Sequence, residues 1–201
     1  MESSIDTAVY AARLDIDYPE KLDRLTTFFR VIWIIPIVVV LSLLTATGSG
    51  ETVGGLFFMA TMLMIVCRQR YPRWWFDFSR QLVRFEARVL AYLVLLTDRY
   101  PSTVDEQSVH LEIDYPDAER DLNRWLPLVK WLLAIPHYIV LALLGVIAIF
   151  VVVIAWFAIL FTGRYPQALF DYVVGVGRWG LRVQAYAFLL VTDQYPPFSL
   201  K

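Results

Sequence analysis

Asp15-Ile16-Asp17-Tyr18-Pro19 recurs as Glu112-Ile113-Asp114-Tyr115-Pro116. Further matches follow in the same order, so these two stretches decide how the whole chain is read. Asp23-Arg24 matches Asn123-Arg124, Arg30 matches Lys130, and Ile35-Pro36 matches Ile135-Pro136. Arg70-Tyr71-Pro72 matches Arg164-Tyr165-Pro166, and Phe76-Asp77 matches Phe170-Asp171. Arg84, Arg88 and Tyr92 match Arg178, Arg182 and Tyr186, and Thr97-Asp98 matches Thr192-Asp193. The unit is too long for a solenoid repeat and reads as a duplicated membrane module. It divides the chain into residues 1–101 and 102–201, joined by a polar, acidic linker from Ser102 to Val109.

Composition sets the environment. The 201 residues are 58% hydrophobic and only 18% charged, with a mean hydropathy of +0.55. Soluble domains carry roughly 25% charge, so the bulk pattern is that of a membrane protein. Eighteen Lys and Arg against nineteen Asp and Glu make no basic field for nucleic acid. A single cysteine, Cys67, excludes an internal disulfide and a multi-thiolate metal site. The start, Met1-Glu2-Ser3-Ser4-Ile5-Asp6, has no basic region ahead of an apolar run and does not read as a secretory signal.

Each half has the same order of segments. Val9 to Tyr18 and Val109 to Tyr115 alternate apolar and polar residues, as strands do. The strands are free to pair with each other or with another subunit. Apolar runs follow. Phe28 to Thr47 reaches about 30 Å as a helix, one hydrocarbon thickness. Val53 to Cys67 reaches only about 22 Å, so it spans a thinned bilayer or re-enters, after a turn at Gly48-Ser49-Gly50-Glu51. Leu126 to Thr162 would be about 55 Å long as one helix, which predicts a hairpin turning near Gly145. Pro36 and Pro136 predict kinks. The fold expected is mainly α and integral to the membrane. Each repeat supplies a short strand, a two-helix transmembrane hairpin and an amphipathic interfacial helix, with four spanning helices in total.

The third helices, Pro72 to Thr97 and Pro166 to Val191, carry the polar signal. On a helical wheel Arg84 and Arg88 fall within about 20° of Asp77, and Arg80, Gln81 and Tyr92 within about 60°. Asp171, Arg178, Arg182 and Tyr186 repeat the pattern. One polar stripe on an apolar cylinder marks a helix at an interface or lining a polar interior. The predicted hairpin tips, Thr45 to Gly55 and the Gly145 turn, contain no Lys or Arg. Two crossings per repeat would therefore gather every basic residue on one side, with both termini cytoplasmic. The Tyr-Pro pairs read as element boundaries at the headgroup level, and Trp74, Trp75 and Trp179 as interfacial anchors.

With these motifs in place, the chain resembles the DUF4389 family, bacterial membrane proteins of unknown function. The resemblance rests on Asp15 to Pro19, Leu22 to Arg30, Ile35-Pro36, Arg70 to Asp77, Thr97 to Pro101 and the second copies, which depart at Glu112, Asn123, Lys130 and Gln167. It implies a multi-pass protein of the bacterial inner membrane and brings no catalytic residues.

Asp77, Arg84, Arg88, Asp171, Arg178 and Arg182, with Arg70 and Arg164, are the candidate lipid- or partner-binding residues. Guanidinium forks at the cytoplasmic boundary suit lipid phosphates or an acidic partner. The competing reading is an internal network, in which Asp15, Asp17, Glu112 and Asp114 pair with these arginines and dock strand against helix. Arg68, Arg70 and Arg73 suit topology setting and anionic lipid. Asp-x-Asp without a loop of oxygen ligands is no calcium motif, and His110 and His137 lack companions for a metal. Gly175, Gly177 and Gly180 suit close helix packing. No cofactor, metal site or nucleic-acid partner is expected, and no nucleophile elbow or phosphate loop is present. Three functions fit. The first is a non-enzymatic scaffold or accessory subunit that docks another membrane or cytoplasmic protein. The others are a homo-oligomeric channel or transporter, and a protein that binds or modifies lipid through anionic headgroups.

Overall fold

The computed structural model describes residues 10–45, 53–103, 105 and 107–201. Its elements are β1 (Ala12–Ile16), α1 (Arg24–Trp33), α2 (Ile35–Thr45), α3 (Val53–Arg68), α4 (Arg73–Leu93), β2 (Val109–Ile113), α5 (Pro127–Leu133), α6 (Ile135–Thr162) and α7 (Gln167–Ala187). The chain is mainly helical, as expected, and the two strands pair with each other.

β1 and β2 form an antiparallel ribbon centred on Leu14↔Leu111. Arg13 lies opposite Glu112, and Asp15 opposite His110. These are corresponding positions in the two sequence copies, so the ribbon relates them by a two-fold axis through its middle. Ala12, Ile16, Val109, Leu111 and Ile113 are buried, whereas Asp15, His110 and Glu112 face out. Both strands are shorter than the alternation predicts. Tyr18 and Tyr115 lie beyond the ladder, each just ahead of a proline that offers no donor.

The predicted kinks coincide with single-residue interruptions, at Ile34 and Ala134. Pro36 lacks an N–H and its ring crowds the preceding turn, so the helix closes at Ile34, whose N–H reaches Arg30 O (2.9 Å), and restarts as α2. Ala134 does the same between α5 and α6. Asp23 caps α1 by accepting from Leu25 N–H (3.0 Å), and Asn123 accepts likewise from Trp125 N–H (2.9 Å). Pro72 and Pro166 stand one position earlier than predicted, as N-caps of α4 and α7. Those helices stop short of the predicted ends. Leu95 (φ 68°) and Leu190 (φ 57°) turn the chain left-handed after each, and both are buried.

The predicted hairpin at Gly145 is absent. α6 is one continuous helix of 28 residues. One glycine costs a helix about 1 kcal/mol, whereas a turn amid apolar side chains would strand several backbone groups without partners. Of the four spans expected, two helices are long and apolar enough to cross a membrane among the described residues, Arg24–Ser42 and Ile135–Thr162. α3 is shorter, and the Gly48-to-Glu51 turn lies outside the described residues.

The halves interlock. β1 packs on α7 and β2 on α4, while α1 packs on α6 and α3 on α5. Phe28 stacks near Trp156, whose Nε1–H donates to Thr27 O (3.2 Å). α7 has two working sides. Leu14 of β1 lies against Gly177, where an added Cβ would meet it at 3.3 Å. On the other side Trp179, Val183 and Tyr186 pack with Ala134, Tyr138 and Leu141. Further along, Phe170 and Val174 pack with Ala155 and Ile159, so α6 runs lengthwise beside α7. Gly175 admits the C-terminal segment rather than another helix, since a Cβ there would sit 2.8 Å from Leu200 O. Trp179, expected at an interface, is buried and donates to His137 Nδ1 (3.0 Å), whose ring stacks on Phe198.

Candidate functional site

Ladder alternation decides what the arginine stripe does. Ala11 pairs with Asp114 and Asp17 with Ser108 through backbone hydrogen bonds (both 2.9 Å). Alternate residues, Leu14 and Leu111 among them, therefore point their carbonyls outward, to the free edges of the ribbon. Arg178 Nε donates to Leu14 O (2.8 Å) and its Nη2 to Asp15 Oδ1 (2.7 Å). Arg84 Nη2 donates to Leu111 O (3.0 Å). Each arginine caps the edge strand of the other half.

One turn on, Arg88 donates to Ser102 O (2.5 Å), and Arg182 to Ser199 O and Lys201 O (both 2.7 Å). Both guanidinium groups are largely buried, and burial pushes them below their ordinary pKa, with Arg84 and Arg178 respectively adding repulsion. Asp77 is half-exposed and pairs with Arg80 (3.2 Å). Asp171 and Arg164 are exposed, and Arg70 lies 3.9 Å from Glu119 with both side chains mostly in solvent. The structure thus turns four of the eight candidate residues, the neighbouring pairs Arg84 and Arg88 and Arg178 and Arg182, onto the protein's own carbonyls. Asp77, Asp171, Arg70 and Arg164 stand outside that set. Of the four strand carboxylates expected on the stripe arginines, only Asp15 pairs with one, Arg178, while Asp17 pairs with His110 (3.1 Å) and Glu112 and Asp114 with Arg13.

Two buried cations are missing from the sequence-derived site. Lys130 is wholly buried, with Nζ 2.7 Å from Thr192 O and 2.6 Å from Asp193 Oδ1. Arg30, equally buried, donates to Tyr92 O (2.7 Å) and Thr97 O (2.9 Å) and pairs with Asp98. The carboxylates also accept backbone N–H groups, Asp98 from Asp23 (2.6 Å) and Asp193 from Asn123 (2.5 Å). The left-handed Leu95 and Leu190 aim these segments back at the first helix of their own half. The signal was in the sequence: Arg30 and Lys130 stand at matching positions, as do Asp98 and Asp193.

The other bridges cross between halves. Arg24 donates to Phe161 O (3.2 Å), and Arg124 to Val66 O (2.6 Å) and Cys67 O (3.2 Å). Tyr18 OH donates to Tyr165 O, and Tyr115 OH to Tyr71 O (2.5 Å). The Tyr-Pro pairs are thus cross-braces as well as boundaries. Among the described residues no group of His, Cys, Asp and Glu is placed to hold a metal.

A family model described as a domain of unknown function, DUF4389, matches residues 24–104 and again 125–199. The chain belongs to the DUF4389 family. The two matches are consistent with a two-copy form of it. Each copy spans the helices whose bridges to the other copy have just been described. Comparison with curated proteins and with solved structures finds no match.

Proposed function

We propose that this two-copy DUF4389 protein is a non-enzymatic scaffold or accessory subunit of the bacterial inner membrane that docks a partner protein at the cytoplasmic face. The observation that carries the membrane setting is α6. Its most apolar stretch is only 6% buried within the protein, and Ile139, Leu143, Ile149, Phe150 and Phe161 are exposed. So much contiguous apolar surface needs lipid or protein against it. Leu25, Phe28, Val31 and Ile32 of α1 extend that surface.

The ribbon sets the orientation in this reading. α6 runs along one side of α7 and β1 lies against another side. Were α6 aligned with the membrane normal, the ribbon's carboxylates and Arg178 would sit at hydrocarbon depth, at several kcal/mol per charge. α6 instead lies within the cytoplasmic leaflet, and the ribbon, α4, α7 and both termini face the cytoplasm. The scaffold role is supported by the arginines, which serve the ribbon edges and loop carbonyls rather than an open cleft.

Native mass spectrometry of protein released gently from its own membrane tests the role. A foreign protein retained at fixed stoichiometry supports it. Species only at whole multiples of 23.3 kDa sink it in favour of a homo-oligomeric channel. The orientation is tested in a Cys67→Ser background carrying a cysteine at one end of α6, Ile135→Cys or Thr162→Cys. A membrane-impermeant maleimide added from the periplasmic side labels neither position if α6 lies in the inner leaflet, and labels one of them if α6 crosses the membrane.

A further inference from the structure

A groove of about 850 Å³ opens where α3 hands over to α4. One wall carries Arg68, Arg70 and Arg73, and the facing wall carries Asp117, Glu119 and Asp121. Tyr115 lies between them, with the Arg73 guanidinium 5.0 Å from its ring centre. The walls do not neutralise each other. Arg70 and Glu119 are 3.9 Å apart and largely solvated, and among the described residues neither Arg68 nor Arg73 has a carboxylate within ion-pairing distance. A pair so exposed contributes about 0–1 kcal/mol to stability.

The second sequence copy is an internal control. Bridges that hold the fold occur in both halves: Arg24 and Arg124, Tyr18 and Tyr115, Arg30 and Lys130, Asp98 and Asp193. Of the groove charges, Arg70 recurs as Arg164, but the others do not. Arg68 corresponds to Thr162 and Arg73 to Gln167. Two residues, Glu20 and Lys21, separate Pro19 from Leu22, where five, from Asp117 to Asp121, separate Pro116 from Leu122. The extra residues form a tight turn, with Asp121 N–H on Asp117 O (2.7 Å), that builds the acidic wall. The fold is therefore held without these charges in one half, and their presence in the other calls for a ligand.

A ligand that suits both walls carries an anion and a cation on a short linker. We propose that this groove binds a zwitterionic phosphate–amine group, the headgroup class of phosphatidylethanolamine, with phosphate on Arg68 and Arg73 and ammonium on the Glu119 and Asp121 carboxylates. Guanidinium groups suit phosphate oxygens. The acidic wall disfavours a purely anionic headgroup. A lipid is the source of this group because Met64 lines the groove, Met59 and Leu63 of α3 are exposed beyond it, and Trp74 and Trp125 are exposed nearby. Only that choice of source rests on the membrane reading above.

The test is calorimetric titration of the full chain in mild detergent. The probes are dihexanoyl-phosphatidylethanolamine, dihexanoyl-phosphatidylglycerol, free phosphoethanolamine and inorganic phosphate. The expected result is saturable binding of the ethanolamine lipid and of phosphoethanolamine, with the glycerol lipid and inorganic phosphate about tenfold weaker or more. Arg68→Gln with Arg73→Gln lowers ethanolamine-lipid affinity about tenfold. Glu119→Gln lowers it and raises affinity for the glycerol lipid. These side chains are exposed, so unchanged thermal unfolding checks the fold. Glycerol lipid or inorganic phosphate binding as tightly as the ethanolamine probes overturns the proposal. So does the absence of saturation by either ethanolamine probe, or indifference to both sets of substitutions. Phosphoethanolamine bound without its lipid overturns the lipid source while upholding the groove's chemistry.

Discussion

Lys130→Met probes the buried cation that anchors the end of the second half. The ammonium is wholly buried, lies 2.6 Å from Asp193 and 2.7 Å from Thr192 O, and sits over the Tyr186 ring at 5.2 Å. Burial pulls its pKa down and Asp193 pushes it back up, so the charge depends on its partner. Methionine fills most of the volume, and the loss is therefore mainly electrostatic. Removing one member of a buried pair costs about 3–5 kcal/mol. Asp193 keeps the Asn123 N–H at 2.5 Å and its side chain is 24% exposed, so water compensates in part and we place the cost near the lower figure, about 3 kcal/mol. For a chain of this size that lowers Tm by about 6–12 °C. The control is Arg13→Met, which breaks pairs to Glu112 and Asp114 whose side chains are 41–69% exposed and should cost under about 1 kcal/mol. Unfolding of the full chain in mild detergent, followed by near-ultraviolet circular dichroism of the tryptophans, measures both. Lys130→Met with Asp193→Asn should cost less than the sum of the two single changes by about 1–3 kcal/mol. If Lys130→Met costs no more than Arg13→Met, or the double change is simply additive, the cation is not the anchor described.

Gly163 (φ 73°) and Gln69 (φ 49°) end α6 and α3 at corresponding positions. Gly163→Ala meets only ordinary contact with Arg24 at 3.7 Å, so its cost is the left-handed backbone, about 1 kcal/mol. Gln69→Gly should have the opposite sign and a smaller size; equal signs in denaturant melts would remove the backbone explanation. Glu86 is half-buried beside Gln184 of α7, and burial raises its pKa. A folded-state value above the unfolded one means stability is fullest below the ordinary glutamate range and falls as pH rises through the raised value. Glu86→Gln should therefore match wild type in acid and exceed it at neutral pH, and parallel Tm-versus-pH curves for the two proteins would refute this.

Much of the local structure was legible in the residues. Alternation marked both strands, though too long at their proline ends. Arg84 and Arg178 fell on a single stripe because helical periodicity is a property of one segment. Gly145 misled because chain length suggested a turn where no polar or proline residue was present to make one. Lys130 and Arg30 were visible as matched residues within apolar runs. Their significance depended on Asp193 and Asp98, more than sixty residues away.

The sequence by itself determined the recurring motifs, the helical character, the apolar runs and the faces on which the arginines lie. All of these follow from composition and from periods of two or about 3.6 residues. The tertiary structure decided which half each group serves. Arg178 could cap a strand of its own half or of the other, because the strands are near-copies and periodicity cannot tell them apart. The antiparallel ribbon centred on Leu14 and Leu111 breaks that tie by carrying β1 to α7 and β2 to α4. The same exchange brings the turn at Asp117 of one half against Arg68 and Arg73 of the other, where residues nearly fifty positions apart share a groove.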